Sequence, residues 1–187
     1  MVSGEYKPFD VLTRSALYHA AAERGLDPPP TETMDALMRS YDALRVFPEV
    51  PGALELLRRN DVAVEAYVFS NGTASMVGNS VRNSPDLGPH AVGFQALVTV
   101  DEVRCYKPDR RVYEHLVEQT SRKGVESSVW VVSANPFDIV GARAAGLNAA
   151  FIDRSGKGWI DRLDEVRVPT IVVKGLDDAV SSILDIL

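Results

Sequence analysis

The sequence predicts an α/β fold, a doubly wound parallel sheet with a small helical cap, and three observations carry the prediction. From about residue 50 onward, short apolar runs alternate with segments of helical period. Each of the clearest apolar runs ends abruptly in polar residues. The first 47 residues lack such runs and read as a helical hairpin. The expected organisation is therefore a cap over residues 1–47 and an α/β core over residues 48–187.

The chain has 187 residues, enough for one domain with a small appendage and a real core. A hydrophobic share of 45% and a charged share of 25% are those of a globular protein and argue against disorder. The net charge of −6 and the absence of a basic run argue against a nucleic-acid partner. No apolar segment reaches the length of a membrane span, and the N-terminal residues show no signal-peptide core, so the expected address is the cytosol. Cys105 is the only cysteine, which excludes an internal disulfide and a cysteine-rich zinc site. His19, His90 and His115 are scattered and read as structural or exposed.

In chain order, Asp10 or Thr13 is expected to cap a helix with Leu12, Ala16, Leu17 and Ala20 on one side and Gly25 at its end. After Pro28-Pro29-Pro30, Thr31 or Thr33 opens a second helix in which Met34, Leu37, Met38, Tyr41 and Leu44 recur at helical spacing. Pro51 suits the first turn of a third helix with Leu54 and Leu57 inward. Residues 62–69 read as a strand ending at Ser70-Asn71-Gly72, followed by a helix over residues 73–82 and a strand over 96–100. Asp109 can cap a helix burying Val112, Tyr113, Leu116 and Val117. The run 129–132 fits a strand covered on both faces and leads through Ser133, Asn135 and Asp138 into a helix stopped by Gly146. Strands at 149–152 and 170–173 and a closing helix from Asp177 complete the pattern.

Ser70 and Asn71, Lys107, and the group Ser133, Asn135 and Asp138 fall at corresponding places relative to strands and helices. If the strands are parallel neighbours, all lie on one sheet edge, where hydroxyl and amide donors backed by helix N-termini hold an anion. Lys107 adds a positive charge there and Asp138 orients it.

Three motifs resemble those of the haloacid dehalogenase superfamily, specifically the L-2-haloacid dehalogenases. They are Ser70-Asn71-Gly72, the run from Tyr106-Lys107-Pro108-Asp109 to Tyr113, and Val132-Ser133-Ala134-Asn135-Pro136-Phe137-Asp138. Phe47-Pro48-Glu49-Val50-Pro51 is similar to that family's return from cap to core. The resemblance implies that Ser70 and Asn71 bind the substrate carboxylate or the nucleophile and that Lys107 neutralises the nucleophile. It further implies that Tyr113, Ser133, Asn135 and Asp138 complete the site, and that no metal or other cofactor is used.

The resemblance also implies an initial strand ending in Asp-x-x-x-Thr, whose aspartate attacks the substrate carbon. No apolar strand precedes residue 10, and Phe9-Asp10 is not followed by Tyr-Gly-Thr. The first strand of the core and its nucleophile are accordingly expected to be missing, and the exposed sheet edge suggests a homodimer. The leading expectation is a repurposed enzyme that promotes a cyclisation, isomerisation or elimination of an apolar small molecule. Ser70, Lys107 and Asn135 would be its catalytic anchors, and Tyr41, Phe47, Tyr67, Phe69 and Phe137 would line the pocket. The alternatives are a non-catalytic ligand-binding relative and a fragment or half of a split dehalogenase.

Overall fold

The computed structural model describes residues 5–59, 64–162 and 164–187. Among the described residues, five strands and seven α-helices alternate in the α/β manner expected. The chain forms two compact units, Met1–Val46 with Tyr67–Arg104, and Phe47–Ala66 with Cys105–Leu187. The first unit thus combines the N-terminal hairpin with residues 67–104 of the region expected to be core.

In the first unit, α1 (Phe9–Glu23) and α2 (Thr31–Ser40) pack together as the expected hairpin. Their starts differ from expectation. Pro8 and Pro30 occupy the N-cap positions in extended conformation, with no side-chain cap. Proline already has the φ a helix entry needs, so no polar cap is required to set the chain direction. Thr13 instead donates to the carbonyl of Phe9 at 2.8 Å, inside α1.

The apolar stripes of the hairpin are only partly covered. α1 buries no residue, Ala16 and Ala20 are exposed, and in α2 Met34 alone is fully buried. The expected stripe breaks where Tyr41 turns into a 3-10 segment (Tyr41–Ala43), leaving Leu37, Tyr41 and Leu44 exposed.

The strand β1 (Ala66–Ser70) starts later than expected; residues 62 and 63 lie outside the described residues, and 64 and 65 precede the strand. It pairs with β2 (Phe94–Thr99), and α4 (Ala74–Asn83) packs on β2 with Val77 and Val81 buried. Thr73 caps α4 by accepting from the Met76 amide. Ser84 and Asp86 brace the neighbouring chain: Ser84 donates to the Leu44 carbonyl at 2.8 Å, and Asp86 accepts from the Val46 amide at 3.0 Å and from Arg45 at 2.8 Å.

The second unit contains a parallel three-stranded sheet in the order β3 (Trp130–Ser133), β4 (Asn148–Ile152), β5 (Ile171–Val173). Val131 faces Ala149 and Ser133 faces Phe151 across the first ladder. α6 (Pro136–Ala144) covers β3 and β4, α5 (Arg110–Gln119) packs on α6, and α7 (Leu176–Ile186) packs on β4, β5 and α3 (Val50–Leu57). Val112, Ile139, Ala142, Leu147, Ala149 and Ala150 are fully enclosed. Each such branched side chain contributes about 1.5–3 kcal/mol of burial.

The single doubly wound sheet of the sequence reading is thus found in two pieces. Among the described residues no ladder joins β1 and β2 to the three parallel strands. Of the run 129–132, Val129 and Val131 are buried and Trp130 and Val132 are half-covered, an alternation that marks one face of the strand as better covered than the other.

α6 reaches α5 closely because Gly141 has no side chain. A Cβ there would stand 2.6 Å from Cε2 and Cζ of the fully buried Tyr113 ring. Gly141→Ala is expected to lower stability by about 1–3 kcal/mol through this overpacking. Chemical denaturation should show the loss, whereas an alanine at the exposed Gly52 should show none of this clash.

Candidate active site

The carboxyl end of β3 carries a buried charge cluster. Beyond Ser133 the chain turns and starts α6 at Pro136, a residue suited to a first helical turn because its missing N–H has no partner to lose. Asn135 occupies the N-cap position, although its side chain makes no cap bond, and its amide donates to Ser133 Oγ at 3.1 Å. Asp138 lies in the first turn of α6, where the helix dipole favours a negative charge.

Both oxygens of Asp138 are engaged. Lys107 Nζ lies 2.9 Å from Oδ2, and the Tyr113 hydroxyl donates to Oδ1, also at 2.9 Å. The Lys107 and Asp138 side chains are only 8% and 5% exposed. Three elements deliver these groups: the turn before α5, the buried face of α5, and the first turn of α6. Asp109 fixes the start of α5 by accepting from the Arg111 amide, as its position in the sequence suggests. Burial, then the adjacent Asp138 charge and the hydrogen bond to it, push the Tyr113 hydroxyl above its ordinary pKa.

In the other unit, β1 ends at Ser70, whose Oγ accepts from the Gly72 amide at 3.0 Å. Gly72 permits a tight turn: a Cβ there would stand 2.9 Å from Val77 Cγ2 and 3.3 Å from Ser70 Oγ. Asn71 is half-buried within this turn. The first amide of α4, on Ala74, donates to Asp101, so a carboxylate occupies part of the helix N-terminus that the sequence reading assigns to an anion.

The structure therefore brings together Lys107, Tyr113 and Asp138, with Ser133 and Asn135 at the adjoining strand end. Ser70 and Asn71 occupy a loop of the first unit, where Tyr67 and Phe69 are half-buried in β1. The remaining expected pocket residues do not read as a lining. Tyr41 and Phe137 are exposed, and Phe47, 55% exposed, lies 3.7 Å beneath the guanidinium carbon of Arg154. Arg154 also bonds Glu49, at 3.0 Å through Nε and 2.6 Å through Nη2. Sequence reasoning missed Asp101, Gly141 and Arg154. The spacing of Arg154 and Glu49 along the chain gives no sign of their contact, while Asp101 at least stands just beyond a readable strand.

A profile of the haloacid dehalogenase-like hydrolases matches residues 9–146. The chain belongs to this family. It is 35% identical over 153 residues to haloacetate dehalogenase H-2 of Moraxella sp. (strain B), an alignment covering 82% of this chain and 64% of that protein. It is 36% identical over 152 residues to the (S)-2-haloacid dehalogenase of Pseudomonas sp. (strain YL), covering 81% and 61%. The chain thus spans less than two thirds of the length of these two relatives. With (S)-2-haloacid dehalogenase H-109 of Pseudomonas putida, 31% identity extends over 97% of this chain and 76% of the relative. The crystal structure of an L-2-haloacid dehalogenase superposes with a TM-score of 0.82 at 28% identity, covering 95% of this chain and 73% of the other. The Xanthobacter autotrophicus L-2-haloacid dehalogenase with chloropropionic acid covalently bound gives 0.80 at 25% identity, covering 96% and 77%.

These likenesses overturn the reading of a scaffold diverted to cyclisation, isomerisation or elimination. The relatives are named dehalogenases, and the likeness runs across most of this member of the family. They agree better with the alternative of a portion of a dehalogenase.

Two measurements test the charge cluster. Removing one partner of a buried ion pair strands the other, so Lys107→Ala is expected to cost about 3–5 kcal/mol. Lys107→Ala with Asp138→Ala together should cost clearly less than the two single losses added, in a denaturation cycle. Because the fold favours the neutral Tyr113, its contribution is full below the unfolded-state pKa of about 10 and is lost as pH rises toward the higher folded value. Alkaline unfolding curves of wild type and Tyr113→Phe should therefore draw together above that pH.

Proposed function

We propose that the chain forms part of a hydrolytic dehalogenase acting on short 2-haloacids. The observation that carries the proposal is the buried Lys107, Asp138 and Tyr113 cluster, because a protein holding these groups only for stability would do as well with apolar ones. The names and coverage of the relatives support the substrate class.

In the proposed reaction a carboxylate attacks C2 of the substrate, a C–O ester bond forms, and the carbon–halogen bond breaks with release of halide. Water then adds to the ester carbonyl, giving the 2-hydroxy acid and restoring the carboxylate. Lys107, held by Asp138, supplies positive charge toward the attacking carboxylate. Asp138 in turn is kept in place by Tyr113, so the ammonium group is oriented before substrate arrives. Ser70 and Asn71 are assigned to the substrate carboxylate, and Ser133 and Asn135 to hydrogen bonds at the strand end.

Asp10 is a poor source of the attacking carboxylate, since it lies in the first turn of α1 and follows no strand among the described residues. That carboxylate is accordingly assigned to the family's first strand, supplied by a segment outside the present sequence. The test joins such a segment, with its aspartate, to the N-terminus and measures halide release from 2-chloropropionate. Release is expected. It should vanish when the added aspartate is replaced by asparagine, and it should fall about 100-fold or more with Lys107→Met. A folded fusion that releases no halide overturns the proposal.

A further inference from the structure

We infer that Asp101 is a positioning residue for the Ser70-Asn71 loop, and that Tyr6 holds Asp101 in the orientation this requires. The inference rests on the dehalogenase reading for its consequence in turnover, and on the geometry of the first unit for its structural part.

Asp101 stands just past the end of β2 and uses both carboxylate oxygens. Oδ2 accepts from the Ala74 amide at 2.9 Å, and Oδ1 accepts from the Tyr6 hydroxyl at 2.6 Å. Ala74 is the first residue of α4, and the first amides of a helix have no partner within it. The local residue Thr73 already caps the helix through Met76. A second side-chain acceptor, arriving from 27 positions along the chain, does something a local cap cannot. It ties the start of α4 to the end of β2.

The segment fixed in this way is short. β1 pairs with β2 and ends at Ser70, α4 starts at Ala74, and only Asn71, Gly72 and Thr73 lie between. One end of the loop is set by the β1 and β2 ladder and the other by Asp101, so both ends are referred to the same strand. Within it, Ser70 Oγ accepts from Gly72 and leaves the loop little slack.

Tyr6 makes the arrangement directional. A hydroxyl donating to a carboxylate is a strong, short bond, and it takes up the oxygen that Ala74 does not use. The guanidinium carbon of Arg104 lies 5.2 Å from the Tyr6 ring centroid, which steadies the ring through a cation–π contact. Arg104, Tyr6, Asp101 and Ala74 therefore form a chain of contacts within one unit that ends at the loop. A loop binding substrate equally in ground and transition states governs KM more than kcat.

The test is amide hydrogen exchange on the chain as it stands, with Asp101→Ala, Asp101→Asn and Tyr6→Phe. Asp101→Ala is expected to speed exchange at Asn71, Gly72 and Ala74 by about tenfold or more, while the amides of β3 in the other unit stay at the wild-type rate. Asp101→Asn keeps an acceptor for Ala74 and should restore most of the protection; Tyr6→Phe should fall between. Unchanged exchange at residues 71–74 overturns the inference. So does a loss of protection throughout both units in Asp101→Asn, which would make the residue a general stabiliser.

In the fusion carrying the first-strand segment, Asp101→Ala should raise KM for 2-chloropropionate severalfold with kcat within about twofold of wild type, and Asp101→Asn should bring KM most of the way back. A fall in kcat at unchanged KM contradicts the positioning role. If loop exchange responds as expected but the fusion releases no halide, the dehalogenase reading fails and the role of Asp101 in holding the loop stands.

Discussion

The buried pair of Lys107 and Asp138 is the constraint around which the second unit is arranged. Taking two charges out of water costs several kcal/mol for each, and their attraction recovers this only if the geometry is good and the remaining lone pairs are used. Asp138 meets the second requirement through Tyr113 and the first through the 2.9 Å contact with Lys107. The neighbouring structure follows from these needs. Tyr113 reaches Asp138 only because α5 lies tight on α6, and α5 lies tight only because residue 141 is glycine. Asp138 is presented at the strand end because Pro136 starts the helix directly after the turn.

The first unit solves a different problem with similar means. Its two-stranded sheet and exposed hairpin offer less apolar burial, and α1 contributes no buried side chain. Polar links from distant positions compensate: Ser84 and Asp86 hold residues 44–46, and Asp101 holds the start of α4. Ser70 and Asn71 are therefore placed by hydrogen bonds, whereas Lys107 and Asp138 are placed by a packed core as well. The two groups of residues differ in what fixes them.

Much of this was legible in the residues. The stripe of Val112, Tyr113, Leu116 and Val117 is buried as its period requires, and Asp109 caps that helix as its place before Arg110 suggests. The association of Lys107 with Asp138 could be anticipated from their motifs. Periodicity failed where it had no partner to act on: Leu37, Tyr41 and Leu44 have the right spacing and remain exposed. Caps were misread at Asp10 and Thr31 because prolines at positions 8 and 30 already set the helix entry. The roles of Asp101, Gly141 and Arg154 depend on contacts through space, which no local pattern encodes. The family motifs are legible in the sequence, whereas a non-hydrolytic chemistry does not follow from an unmatched first motif, and the relatives correct that expectation.

The proposed function has this chain serve a displacement through a covalent ester, with the charge of Lys107 aiding the attack. A single turnover of 2-chloropropionate by excess fusion protein in water enriched in heavy oxygen tests it most directly. Hydrolysis of an ester at its carbonyl carbon leaves the label on the protein carboxylate, so the first 2-hydroxy acid released is expected to be unlabelled. Labelled 2-hydroxy acid in that first turnover would mean direct attack by water on the substrate carbon, and would contradict the claim.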